Sequence, residues 1–154
     1  MTGHEETIKA IKALLTESFE GSLATLDDGK PFVSAAGFIW DEAPKGAIQV
    51  YLLLSDLARH SQHIKKNPKV SLLITESAGN KFLYEKKRVT LGGQIQLVEE
   101  AAGSLKLKEK YLKRYPKAEI FFTLKDFKFY RLIPDELYWI GGFGKAEVIK
   151  CSMA

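Results

Sequence analysis

Apolar positions recur with helical spacing in two parts of the chain. An amphipathic helix is predicted over residues 5–19 because apolar residues follow one another at intervals of three and four, at Ile8, Ile11, Leu15 and Phe19. The segment "EEAAGSLKLKEKYLKRYP" predicts another helix, closed by Pro116. The spacing predicts that its buried face consists of Ala101, Leu105, Lys108, Leu112 and Tyr115.

Strand-like patterns dominate the remainder. Leu23–Leu26 and Phe32–Trp40 flank Asp28-Gly29, a pair that adopts the positive φ angles of a tight turn, so we expect a hairpin. Further strands are predicted at "AIQVYLLL", at "KVSLLITE" and at Arg88–Val98. Gly92-Gly93 inside the last of these predicts a bulge or a close backbone approach.

The end of the chain predicts a final hairpin. "FKFYRLIPDELYWIGGFGKAEVI" is expected to turn at Pro134-Asp135 and to end in a glycine-rich loop. The whole pattern gives six or seven short strands and three helices, without the regular alternation of a doubly wound parallel sheet. We therefore expect a mainly β, α+β fold, an antiparallel barrel with peripheral helices.

Composition supports one folded domain. The 154 residues are 45% hydrophobic and 11% aromatic, which is enough to build a core. No apolar run reaches the roughly 18 residues of a membrane span, and the first residues lack the apolar stretch of a signal peptide. Cys151 is the single cysteine, which excludes an intramolecular disulfide. We expect a cytoplasmic protein without a membrane partner.

The charge is moderately basic. The net charge of +4 arises from 23 basic and 19 acidic residues, so a nucleic-acid partner is not expected. The lysines around residues 106–117 are interpreted as the solvated face of a helix. His60 and His63 are three residues apart, but without a third ligand nearby they do not predict a metal site.

The stretch "LLLSDLARHSQHIKKNP" joins a strand to a short basic helix. Ser55 or Asp56 is expected to cap the helix, and Arg59 lies in its first turn. A helix N-terminus next to an arginine favours a phosphate, because free N–H groups and a bidentate donor converge there. The alternative is that the basic side chains only solvate the outer face of the helix.

The "GGFG" stretch and the aromatic residue before it have two interpretations. The glycines from Gly141 to Gly144 either line a flat ligand or form an ordinary turn. Trp139 either stacks on a ligand ring or fills the core.

Four segments in order resemble one family. These are "GSLATLDDGKPFVSAAGF", "VYLLLSDLARHSQHIKKNPKVSLLI", "RVTLGGQIQLV" and "DFKFYRLIPDELYWIGGFGKA". They resemble the opening hairpin, the strand and helix with its Asn-Pro stop, the next core strand and the closing hairpin of FMN-binding split-barrel proteins, the pyridoxamine phosphate oxidase superfamily. The SDLA-type helix start together with the GGFG-type ending is most similar to the HugZ-like haem-utilisation branch. The resemblance covers roughly residues 20–147.

This resemblance implies a single domain over residues 1–154, built as a six-stranded antiparallel split β-barrel with peripheral helices. It also implies a homodimer that binds FMN, with a planar substrate or ligand, in a cleft at the subunit interface. The implied cofactor contacts are Ser34, Ala35, Ala36, Gly37, Ser55, Arg59, His60, Arg88 and Trp139. The implied substrate contacts are Gly142, Phe143 and Lys145.

Individual residues take their roles from the family motifs. Arg59 and His60 match the adjacent basic pair that holds the flavin phosphate, and Arg88 matches a polar position that also reaches the flavin. Trp139 matches an aromatic residue near the ring. Lys145 stands where the oxidases keep a substrate-binding arginine.

The chain departs from the family at informative positions. His60 replaces the usual lysine of the basic pair, and Lys145 weakens bidentate recognition of a substrate phosphate, which weighs against vitamin B6 oxidation. HugZ-like haem degraders ligate iron with a histidine in a C-terminal extension, but no histidine follows His63.

Several functions are therefore compared. The first hypothesis is an FMN-dependent oxidoreductase related to the HugZ-like branch. The alternatives are a haem-binding or haem-degrading protein, a non-enzymatic flavin-binding module and a basic nucleic-acid binder.

Overall fold

The computed structural model describes residues 3–77, 79–99 and 101–151 of the chain. The α-helices are α1 (Gly3–Glu17), α2 (Arg59–Lys66) and α3 (Ala101–Arg114). Short 3-10 helices span Pro44–Gly46, Leu83–Glu85 and Pro116–Thr123. The strands are β1 (Gly21–Asp27), β2 (Lys30–Ala36), β3 (Phe38–Glu42), β4 (Ile48–Ser55), β5 (Lys69–Thr75), β6 (Arg88–Leu97), β7 (Phe127–Ile140) and β8 (Ala146–Lys150).

The strands form one antiparallel sheet that closes on itself. Its order is β2-β1-β5-β6-β7-β4-β3, and β8 pairs with β7. β2 and β3 are separated only by Gly37, so the two ends of this order are halves of one bent strand. Counted in that way, six strands surround the core, and the predicted antiparallel split barrel is confirmed. The difference from the prediction is β8, which extends the sheet beside the last third of β7.

The opening hairpin matches its prediction, apart from the bend in its second strand. Asp28 and Gly29 have φ angles of 49° and 79° and connect β1 directly to β2. The strand predicted over Phe32–Trp40 is interrupted at Gly37, where a Cβ atom would lie 2.9 Å from the hydroxyl oxygen of Tyr111. The interruption is thus linked to Tyr111 of α3, a long-range contact that sequence periodicity does not reveal.

The turn predicted at Pro134-Asp135 is wrong. β7 continues through both residues, and the actual turn to β8 lies at Gly142–Gly144, with φ angles of 126° for Gly142 and 76° for Gly144. The pairing of β7 with β4 ends at Leu132, and its pairing with β8 starts at Glu136. Pro134 lies between these two pairings, where its missing N–H costs no bond to β4 or β8.

The main core fills the barrel. Alternate residues of the strands point inward and meet Ile11, Leu14 and Leu15 of α1 and Ile64 of α2. A second cluster lies beneath α3, and it contains Ile39, Tyr51, Val98, Leu107, Tyr111, Ala118 and Phe129.

The buried face of α3 agrees with the predicted one only in part, at Leu112 and Tyr115, which pack against the second cluster. Leu107 and Tyr111, four residues apart, point into the second cluster, whereas Leu105 is 65% exposed. The side chain of Ala101 lies outside the described residues. Arg114 at the end of α3 donates hydrogen bonds to the carbonyl oxygens of Leu15 and Ser18 and so holds the C-terminal end of α1.

Candidate functional site

The connection between β4 and α2 is built differently from the expected cap. α2 begins at Arg59, its N-cap is Ala58, and no side chain caps its first turn. Ser55 instead donates its hydroxyl hydrogen to the carboxylate of Asp126 at 2.6 Å and accepts the Leu57 N–H at 3.2 Å. The predicted capping role of Ser55 or Asp56 is wrong, and the first-turn N–H groups receive no side-chain acceptor from the described residues.

The carboxylate of Asp56 binds the side chains of Lys128 and Tyr130 and does not cap the helix. Its carboxylate lies 2.7 Å from the Lys128 ammonium and accepts the Tyr130 hydroxyl at 3.0 Å. The hydrogen bond from Lys128 holds the pKa of Asp56 below its usual value, although partial burial opposes this. Burial first, and then the Asp56 carboxylate, raises the pKa of Tyr130 to about 12. These contacts fix the strand end from which α2 starts.

α2 packs across the inner face of β1 and β2, and this contact brings three of the predicted cofactor residues together. His60 Nδ1 lies 3.4 Å from the hydroxyl of Ser34, and the guanidinium of the neighbouring Arg59 lies 4.6 Å from the ring centre of Phe32. Phe32 was not predicted as a site residue. Its place on β2 two residues before Ser34, and therefore on the same strand face, was the available signal.

His60 has an unused nitrogen. Its Nε2 atom is buried and has no hydrogen-bond partner among the described residues. Burial, helped by the nearby His63, lowers the pKa of His60, which favours the neutral ring. A buried polar atom without a partner is costly, so this nitrogen fits a ligand oxygen. With Arg59 and the uncapped start of α2, the residues present fit a phosphate group.

The side chain of His63 is held by contacts with other residues of the protein. Its Nδ1 lies 2.9 Å from the hydroxyl of Thr25, and its Nε2 lies 3.8 Å from the carboxylate of Asp27. The edge of its ring packs against Phe32 at 5.3 Å between centres. Within the described residues, no group of three histidine, cysteine or acidic side chains could hold a metal ion.

Arg88 lies away from this phosphate corner. Ser34 shares the inner face of the sheet with Leu23, Leu72 and Leu91, which are its neighbours across β1, β5 and β6. Arg88 is three residues from Leu91 on β6 and therefore points to the opposite, outer face. Three strand spacings of about 4.8 Å also separate β2 from β6.

The remaining predicted residues divide between the two faces. Ala36 is buried toward the core, and Ala35 is exposed on the outer face. The Gly141 N–H donates a hydrogen bond of 2.8 Å to the Lys145 carbonyl oxygen across the β7–β8 turn, which carries Phe143 at its exposed tip. This turn follows Ile140, the register partner of Arg88, so it lies at the same end of the sheet as Arg88.

Trp139 belongs to the main core and is only 6% exposed. A Cβ atom on Gly141 would lie 2.8 Å from its indole nitrogen, so the glycine gives this ring its space. Stacking of Trp139 on a ligand ring remains a prediction.

Every α-helix described here is too short or too polar to cross a membrane.

Comparison with known proteins defines the family. The family model described as CREG, beta-barrel matches residues 2–153. The chain belongs to the CREG beta-barrel family. The protein named Heme oxygenase HutZ from Vibrio cholerae is 30% identical over 146 residues, which cover 88% of this chain and 77% of that protein.

Solved structures extend this family relationship. A crystal structure of HutZ from Vibrio cholerae, described there as a heme storage protein, has a TM-score of 0.66 at 28% identity, covering 88% of this chain and 95% of HutZ. A putative pyridoxamine 5'-phosphate oxidase from Listeria innocua has a TM-score of 0.70 at 17% identity, covering 88% and 99%. The latter similarity concerns the fold. The predicted split-barrel fold and the predicted similarity to the haem-utilisation branch are confirmed.

Proposed function

We propose that this protein binds FMN, with the flavin phosphate at the start of α2. The observation that carries the proposal is the buried, unpartnered Nε2 atom of His60 beside Arg59. Ser34 would donate its hydroxyl hydrogen to Nδ1 of the neutral ring, which places the imidazole hydrogen on Nε2, where it can be donated to a phosphate oxygen. Arg59 would add a charge-assisted contact from the surface side.

The second half of the site would come from a second copy of the chain. Ser34 and Arg88 point to opposite faces of the sheet, so one ligand that lies beside both Ser34 and the segment bonded to Arg88 requires two subunits. A homodimer also accounts for exposed apolar residues on the outer face. Leu73, Tyr138 and Val148 lie in one row of this face, with Thr90 between the first two. An uncharged row of this kind is typical of a protein interface.

The flavin would supply the redox chemistry when bound, and the residues described above would bind and orient it. No general acid or base is assigned. In this proposal, His60 would act as a neutral hydrogen-bond donor to the phosphate, and Lys145 would face a substrate from the β7–β8 turn. The proposed activity is therefore that of a flavin-dependent oxidoreductase.

A haem-binding function is the second candidate, favoured by the 30% identity to a protein named Heme oxygenase HutZ. Haem is also planar and anionic, and its propionates would suit the same cationic groups. Among the described residues, His63 has both ring nitrogens beside other side chains, Thr25 and Asp27, and Nε2 of His60 is assigned to the anionic group of the ligand, so neither is assigned as an iron ligand.

The decisive experiment compares FMN, riboflavin and haem on the purified protein. Riboflavin lacks the phosphate, so the proposed site predicts at least tenfold tighter binding of FMN than of riboflavin in a fluorescence titration. Equal affinity for the two flavins would contradict the phosphate site. A Soret band on addition of haem, without flavin binding, would support the second candidate. Sedimentation velocity of the same sample tests the homodimer.

A further inference from the structure

An exposed aromatic cluster lies on the segment between β5 and β6. Phe82, Leu83 and Tyr84 are consecutive, and their exposed fractions are 59%, 51% and 54%. The rings of Phe82 and Tyr84 meet edge to face at 5.2 Å between centres. Scattered apolar residues are normal on a surface, but a contiguous set of three points to a contact with another molecule.

This segment is held in a defined position by Arg88. One guanidinium nitrogen, Nη1, donates to the carbonyl oxygens of Leu83 at 2.8 Å and Lys86 at 3.1 Å. The same guanidinium lies 5.9 Å from the ring centre of Tyr84. Arg88 is therefore committed to the 3-10 turn that carries the aromatic residues. Its geometry suits this task because Nη1 carries two hydrogens and can serve two acceptors at once.

A second set of hydrogen bonds, formed by Glu76, joins the two ends of the segment. The Glu76 carboxylate accepts the Lys87 N–H at 3.0 Å and the Lys81 ammonium at 3.2 Å. The Glu76 N–H also donates to the Lys87 carbonyl oxygen at 2.8 Å. Because these bonds order the backbone during folding, the aromatic side chains can bind a ligand with a smaller entropic cost.

The β7–β8 turn adds a fourth apolar side chain. A Cβ atom on Gly142 would lie 3.6 Å from the carbonyl oxygen of Glu85, so the turn rests against the aromatic segment. Phe143 at the tip of this turn is 78% exposed. Two separate loops therefore present aromatic rings at one end of the sheet.

The surroundings of these rings favour an anion. Lys86 and Lys87 follow the aromatic residues, and Lys145 follows Phe143 in the opposing turn. The acids close to these residues in the sequence are Glu76, whose carboxylate is bonded to Lys81 and to the Lys87 N–H, Glu85, and Glu147 on β8. A planar ligand with an anionic group matches this combination of aromatic faces and cations.

We propose that Phe82, Tyr84 and Phe143 form an aromatic wall that packs against the plane of the ligand, and that Arg88 is the positioning residue that holds this wall. The proposal rests on the proposed function, because FMN and haem are the planar anions concerned. It assigns Arg88 a role through the loop carbonyls in place of the direct cofactor contact that the family resemblance implies.

The test uses the double substitution Phe82→Ala, Tyr84→Ala in the full-length protein. FMN affinity is measured by flavin fluorescence and haem affinity by Soret titration. We expect the affinity for the ligand that the wild type binds to fall roughly tenfold, the scale of two lost aromatic contacts. The control is Leu105→Ala, Ile120→Ala, which removes two equally exposed apolar side chains elsewhere and should leave both affinities unchanged.

Trypsin provides a readout of the role of Arg88. Lys86 and Lys87 are cleavage points inside the segment, and we expect bound ligand to protect them in the wild type. Arg88→Lys keeps the charge but loses the planar guanidinium that reaches both carbonyl oxygens and lies near the Tyr84 ring, so we expect faster cleavage there without ligand and weaker ligand binding. Unchanged cleavage with unchanged affinity would overturn the positioning role.

The outcomes separate this inference from the function on which it rests. A wild type that binds neither FMN nor haem overturns both. A wild type that binds one of them, together with a double variant that binds it equally well, overturns the aromatic wall alone. If the double variant loses ligand only because it sediments as a monomer, the surface is a subunit contact, and the wall is again overturned.

Discussion

The hydroxyl of Tyr115 is bonded to both backbone groups of Phe38. It accepts the Phe38 N–H at 3.1 Å and lies 2.8 Å from the Phe38 carbonyl oxygen, with the Phe19 carbonyl oxygen at 2.6 Å as a second acceptor for its hydrogen. Phe38 is the first residue of β3, directly after the interruption at Gly37. One side chain from the region after α3 thus satisfies backbone groups that the bend in β2–β3 would leave unpaired.

Tyr115→Phe should therefore destabilise the barrel. The change leaves the Phe38 N–H without its acceptor, and an unsatisfied buried group costs about 1–3 kcal/mol. The free energy of unfolding in urea measures this loss. Tyr84→Phe is the matched control because Tyr84 is exposed and no hydrogen bond of its hydroxyl to the described residues is found. Equal stabilities of the two variants would show that the Tyr115 bonds do not support the bend.

Local signals predicted much of the fold. The Asp28-Gly29 pair correctly predicted the first turn, because the turn depends only on the conformation of these two residues. The turn expected at Pro134-Asp135 failed because the place of Pro134 depends on where β4 ends and β8 begins, which is information from other strands. The buried face of α3 was predicted only in part, at Leu112 and Tyr115, for a similar reason. Tyr111 is buried because Gly37 leaves room for its hydroxyl, a relation between positions far apart in sequence.

The candidate site was predicted in part. The pairing of Arg59 with His60 follows from their adjacency, and the family motif identified Ser34, which lies beside His60 in the structure. The motif did not reveal that Arg88 bonds to the carbonyl oxygens of Leu83 and Lys86, because backbone acceptors leave no residue-specific signal in a sequence. The division of the predicted residues between two faces of the sheet also required the strand register.

Gly93→Ala should be much more damaging than Gly92→Ala. The register of β6 and β7 shifts between these two glycines, which confirms the predicted bulge. A Cβ atom on Gly93 would overlap the Ile133 carbonyl oxygen and lie 3.1 Å from the Cα of Pro134, whereas on Gly92 its nearest contact would be 3.8 Å away. We expect a loss of about 1–3 kcal/mol in the free energy of unfolding for Gly93→Ala, the cost of overpacking, and a small change for Gly92→Ala.

Each of these two variants serves as the experimental control for the other, because both replace a glycine of the same strand with alanine. Thermal unfolding followed by circular dichroism compares them directly. Equal melting temperatures would contradict the close approach of β7 to Gly93.

Acidification should weaken the folded state through His60. Its pKa in the folded protein is lowered, mainly by burial, below the value of about 6.5 expected for the unfolded chain. Between these two values the unfolded chain binds more protons, so stability falls as the pH drops below about 6.5. His60→Gln should therefore reduce the slope of unfolding free energy against pH between pH 7.5 and 5.

The measurement is a series of urea titrations across that pH range. His4→Gln, at an exposed position of α1, serves as the control for losing a histidine. A slope in His60→Gln equal to that of the wild type would show that burial of His60 does not contribute to acid sensitivity.

Arg59→Ala should weaken FMN binding specifically through the phosphate. The guanidinium lies over Phe32 at the start of α2, and losing a charge-assisted contact costs about 1.5–3 kcal/mol of binding free energy. Riboflavin has no phosphate, so its affinity should change little, and the preference for FMN over riboflavin should shrink. Lys66→Ala removes an exposed charge from the last turn of the same helix and should preserve that preference. An equal loss of both flavins in Arg59→Ala would indicate that Arg59 supports the packing of α2 against Phe32 and does not contact the phosphate.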